Sequence, residues 1–129
     1  MPLSSPRKPS RLPHATALRT AVFDEQRLDG ADPRVVLTDV LRASVQLLSI
    51  EENDFAWSSW QDSATAVAEV SRLLAVVEAG GTPERLALSV IFAPTGPMQE
   101  VSISNGWGEA FLTLAECYDY AEKGLWKHG

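Results

Sequence analysis

Residues 86–104 read LALSVIFAPTGPMQEVSIS, and the fold turns on how this stretch is read. Leu86, Leu88, Val90 and Phe92 alternate with Ala87, Ser89, Ile91 and Ala93; beyond Pro94-Thr95-Gly96-Pro97, Val101-Ser102-Ile103-Ser104 alternate again. Alternation of period two marks a strand, because successive side chains leave opposite faces of the pleat. Two such runs about a Pro/Gly turn predict a β-hairpin. The first run is apolar on both faces, as an inner strand or one covered on both sides would be. In the second, Glu100, Ser102 and Ser104 point one way and Val101 and Ile103 the other, leaving one face for water.

Outward from the hairpin the pattern turns helical. On its C-terminal side Ser104 or Asn105 is placed to cap a helix with the stripe Trp107, Ala110, Phe111, Leu114, Ala115, Tyr118 and Ala121, ended by Gly124. On its N-terminal side Gly80-Gly81 stop a helix that starts near Ser58 or Ser59 and presents Trp60, Ala64, Val67, Val70, Leu74 and Val77. Further back, Asp32 and Pro33 form an N-cap and first helical position. The helix they open buries Val36, Leu37, Val40, Leu41, Leu47, Leu48 and Ile50, with Asp39, Arg42, Gln46 and Ser49 opposite. Ala17 to Phe23 reads as a short strand or a helical turn. The expected fold is α+β: three amphipathic helices packed on a small antiparallel sheet built around the hairpin, in one domain from residue 16 to 129. Two strands alone are marginal, so the sheet is expected to gain a third from Ala17 to Phe23 or from a second copy of the chain.

Residues 1–15, MPLSSPRKPSRLPHA, are read as a disordered arm, since prolines at 2, 6, 9 and 13 remove donors and restrict the residues before them. The formal charge of -6 is unevenly spread. Arg7, Lys8, Arg11 and Arg19 give the first 19 residues +4 with no acid, and the remainder sets seven basic residues against all 17 acidic ones. An acidic body repels a polyphosphate backbone, which argues against a nucleic-acid partner. The longest apolar run, Ala87 to Ala93, falls far short of the roughly 20 residues that span a bilayer, so no membrane role is expected and the cytoplasm is the expected compartment.

Composition also narrows the chemistry. His14 and His128 stand at the two ends of the chain and Cys117 is the one thiol, so neither a nucleophile–base pair nor a Cys/His zinc set is expected. Cys117, on the edge of its helix's stripe, is read as a small buried side chain. Glu51, Glu52 and Asp54 read as a solvated loop without the spacing of a calcium site, and Glu100 and Glu109 have no spacing that makes them a catalytic pair. No catalytic residue, metal or cofactor is expected.

Two sets of residues remain as candidate sites. Phe55, Trp57 and Trp60 lie within six residues, and with Trp126 they form the candidate interaction surface, because tryptophan is prominent in interface hot spots. Asn105, Gly106, Trp107 and Gly108 form a strand-to-helix turn whose backbone N–H groups suit an anion, although the turn lacks the third glycine of a dinucleotide fingerprint and the lysine of a P-loop. The first set leads to the favoured expectation: a non-catalytic protein-interaction module of adaptor, chaperone or immunity type, binding another protein or a second copy of itself. The second leads to the alternative, a small-molecule or anion binder.

Overall fold

The computed structural model describes residues 30–126, and these form five α-helices: α1 (Pro33–Leu48), α2 (Ser63–Glu78), α3 (Arg85–Ile91), α4 (Pro97–Ser104) and α5 (Gly108–Leu125). The reading of residues 1–15 as an arm and of Ala17 to Phe23 as a strand falls outside the described residues. No strand occurs among the described residues, so the expected α+β fold is corrected to an all-helical one.

The correction falls on the stretch that decided the sequence reading: the hairpin is the helix pair α3 and α4. Its buried residues follow a spacing of three and four, with Leu88, Ile91 and Phe92 inward from α3 and Met98, Val101, Ser102 and Asn105 inward from α4. Of the residues that make the alternation, Leu88, Phe92 and Val101 are buried while Leu86, Val90 and Ile103 are exposed. Pro97 sits in the first turn of α4, where its fixed φ suits a helix and its missing N–H costs nothing. Gly96 lies between the two helices, and a Cβ there would fall 2.2 Å from the carbonyl oxygen of Val90. The turn read as joining two strands is therefore a close approach of backbone that packs the start of α4 on the end of α3.

The long helices follow the sequence more closely. Asp32 caps α1, accepting the Arg34 N–H at 2.9 Å, with Pro33 at the first position. The second helix starts later than Ser58 or Ser59: Asp62 is its cap, accepting the Thr65 N–H at 2.8 Å, while Ser58 Oγ accepts the Trp60 N–H in the loop before it. At its far end Gly80, with φ of 93°, closes a Schellman turn in which the N–H groups of Gly80 and Gly81 donate to Val77 and Val76. The Arg34 guanidinium covers the same end, donating to the carbonyls of Val77 and Gly81. The last helix begins at Gly108 after Trp107, not at Ser104 or Asn105, and continues through Gly124 to Leu125. Gly124 admits Pro33 at a distance that a Cβ would close to 2.2 Å.

The core sits between α1, α2 and α5, α1 packing on both of the others, with α4 laid against α5 and α3 against α4. Leu37, Leu41, Leu47, Leu48, Phe111 and Leu114 are fully buried there, each contributing about 1.5–3 kcal/mol of transfer free energy. No helix among the described residues is long and apolar enough to cross a membrane.

Candidate functional site

Helices α4 and α5 meet at a joint whose geometry is set by one glycine. Gly106 takes φ of 78°, and the N–H of Trp107 donates to Ser102 O at 3.0 Å, closing α4 with a second Schellman turn. Asn105 locks the joint to the loop between α1 and α2: its Oδ1 accepts the Asp54 N–H at 2.7 Å, and its Nδ2 donates to Asp54 O at 2.9 Å and Val101 O at 2.8 Å. The Trp107 indole N–H donates to Asn53 Oδ1, and the Asn53 amide in turn donates to Leu47 O. The joint fixes how α4 lies against α5.

Between those two helices lies an apolar groove of about 220 Å³, lined by Gln99, Ser102, Ile103, Gly108, Phe111 and Leu112. Phe111 and Ser102 form its buried floor, and the Ser102 hydroxyl is turned back to Gln99 O at 2.8 Å. Its lips are Ile103 and Leu112, 66% and 59% exposed. Leu112 stands on α5 three residues after Glu109 and four before Glu116, both exposed, so an acidic ridge runs beside the opening. The groove is smaller than the roughly 300 Å³ at which small-molecule pockets begin, and its size and apolar lining suit side chains delivered by another segment of polypeptide.

The structure does not bring the four residues of the expected interaction surface together. Phe55 and Trp60 are buried in the core, where the Trp60 indole donates to Glu69 Oε1 at 3.0 Å. Trp57, in the same loop, is 79% exposed. Trp126 is half-buried at the far end of α5, with the Arg85 guanidinium 5.9 Å over its ring. The second expected site, Asn105 to Gly108, joins two helices and not a strand to a helix, and the bonds just described occupy the Trp107 N–H and the Asn105 amide. Cys117 is buried on α5.

Carboxylates are likewise engaged locally. Glu100 Oε1 accepts the Ser59 N–H at 2.9 Å. Glu122 Oε2 accepts from Arg85 Nε at 3.0 Å and Ser89 Oγ at 3.2 Å, with the Tyr118 hydroxyl also in reach, and this cluster fastens α3 to α5 beside the stacked rings of Phe92 and Tyr118. Burial holds the Tyr118 phenol above its ordinary ionisation range, against a lowering by the Ser89 hydrogen bond. No group of three or more His, Cys, Asp or Glu among the described residues could hold a metal ion.

Ile103 and Leu112 were not picked out by the sequence reading. Ile103 was assigned to the inner face of a strand, but Leu112 left a signal: it falls outside the apolar stripe of α5, among Glu109, Glu116 and Asp119. A large apolar side chain on an acidic helix face lacks a core to enter. Comparison with known protein families, with characterised sequences and with solved structures finds no significant match for this chain.

Proposed function

We propose that this chain is a non-catalytic protein-interaction module of the cytoplasm, which seats an apolar, basic segment of a partner protein in the groove between α4 and α5. The observation that carries the reading is the pairing of Ile103 and Leu112, two exposed large side chains on the lips of an apolar groove, with the acidic ridge of Glu109 and Glu116 beside it. Apolar anchors supply most of the affinity of such a seat, and the acids set the charge of what approaches it. The β-pairing basis for self-association goes with the hairpin, and the acidic ridge favours a basic segment of a different protein over a second copy of an acidic body.

Selection of displayed random peptides against the full chain tests the reading. Enriched sequences are expected to combine Lys or Arg with spaced large apolar residues and to lose binding to Ile103→Asp/Leu112→Asp, an exposed pair whose replacement costs within about 0.5 kcal/mol of stability per site. Enrichment that survives in the double variant would place binding elsewhere.

A further inference from the structure

The acids beside the groove stand in register with its lip. On α5 the exposed side chains Glu109, Leu112, Glu116 and Asp119 follow one another at intervals of three, four and three residues, so they form one solvent-facing line. Glu109 and Glu116 are two turns, or about 10 Å, apart along the axis, with Leu112 between them. Asp119 carries the line on to about 15 Å from Glu109, and Lys123 ends it. None of the three acids is in an ion pair among the described residues, where the two such pairs join Arg42 to Glu78 and Arg85 to Glu122. Unpaired carboxylates in line with an apolar lip set a charge pattern that an occupant has to match.

That pattern separates the conformations a bound segment can take. In an extended segment, side chains on one face recur at about 7 Å and 13 Å, and residues about 10 Å apart leave opposite faces. In a helix, positions seven apart return to one face at about 10 Å, and the positions three and four on from the first lie between them. A helix can therefore set one basic residue against Glu109 and another against Glu116, with large apolar residues between them over Leu112 and Ile103. The other common ways of seating a peptide lack their counterpart here. Strand addition needs a sheet edge, and no strand occurs among the described residues. Polyproline docking needs a groove lined by aromatic rings, and Phe111, on the buried floor, is the one ring in this lining.

We propose that the occupant of the α4–α5 groove is an amphipathic helix of a partner protein, lying along α5 with basic residues seven apart facing Glu109 and Glu116 and apolar residues between them seated on Ile103 and Leu112. The inference rests on the groove reading above and adds the conformation and spacing of what binds. A short helix is marginal on its own in water, so the segment gains helix as it docks.

Two peptide libraries of matched composition, displayed against the full chain, give the test. One repeats Lys-x-x-Leu-Leu-x-x and the other Leu-x-Leu-x-Lys-x-x, with x any residue except proline. The first sets leucines between lysines on one helical face; the second sets leucine and lysine on one face of an extended chain. Binders are expected from the first library alone, with binding lost to Ile103→Asp/Leu112→Asp and with the carbon shifts of an isotope-labelled peptide moving to helical values in the complex. Glu109→Lys/Glu116→Lys should weaken these binders about tenfold at low salt, and replacing the peptide lysines by glutamate should restore binding to that variant. Binders from the second library that need Ile103 and Leu112, whether alone or equal to those of the first, leave the groove reading standing and overturn the helix. Helical binders indifferent to Glu109→Lys/Glu116→Lys overturn the charge register and with it the proposal. If no binder from either library depends on Ile103 and Leu112, the groove reading fails as well.

Discussion

Glycines at Gly96 and Gly106 are required for different reasons, and substitution should separate them. At Gly96 the conformation is open to any residue, but a Cβ would collide with the Val90 carbonyl, which belongs to backbone and cannot swing aside. Gly96→Ala should cost about 3 kcal/mol, at the upper end of overpacking effects. At Gly106 there is open space around the missing Cβ and the cost is conformational, so Gly106→Ala should lose only about 1 kcal/mol. Chemical denaturation of both variants checks the order; equal losses would contradict it. Asn105 is a third test at this scale. Its side chain makes three hydrogen bonds to backbone groups of the loop and of α4, and Asn105→Ala leaves the Asp54 N–H and the Val101 and Asp54 carbonyls without it, for an expected loss of about 2–3 kcal/mol.

At the scale of elements, α1 and α5 were legible because long amphipathic stripes and cap residues agree with each other: Asp32 and Pro33 mark the start of α1, and nearly every residue of the α5 stripe is buried. The pair α3 and α4 was not legible. Seven- and eight-residue helices offer too few turns for a period of 3.6 to outweigh a period of two, and exposed Leu86, Val90 and Ile103 completed the false alternation. The spacing Met98, Val101, Ser102, Asn105 held the true period but mixed two polar residues into an apolar face, and the burial of Ser102 is accounted for only by its hydroxyl bonding back to Gln99 O. The groove was hidden for the same reason, since one of its lips is Ile103. Two elements also carry pH dependence. The Thr65 backbone N–H and, to a smaller degree, the Thr65 side chain hold the Asp62 carboxyl below its ordinary range, so the folded chain binds that proton less readily than the unfolded one. This contribution is present above the ordinary carboxylate range and is lost as pH falls through the lowered value; acid unfolding of Asp62→Asn should be less steep at its low-pH end. Tyr118 has the opposite sign: burial raises its ionisation in the folded state, so its contribution is intact below about pH 10 and declines as pH rises beyond that. Alkaline unfolding should show this decline, and Tyr118→Phe should remove it together with the latest-ionising tyrosine absorbance.

For the molecule as a whole, the proposed binding mode draws on the separation of charge. Glu109 and Glu116 lie on the solvent face of α5 beside an apolar opening, while basic residues gather in the first 19 positions. An acidic surface of this kind accelerates the approach of basic segments at low ionic strength, and screening at 1 M salt shortens its reach to about 3 Å. Association with a partner peptide should therefore slow as salt is raised, while dissociation, set by the apolar contacts of Ile103 and Leu112, changes little; equal salt effects on both rates would count against the division. The most direct measurement of the central claim compares two exposed apolar faces in one binding experiment with a selected peptide: wild type, the groove variant Ile103→Asp/Leu112→Asp, and the α3 variant Leu86→Asp/Val90→Asp. Binding lost in the groove variant and retained in the α3 variant is the predicted result. Binding retained in the groove variant, or lost only in the α3 variant, would contradict it.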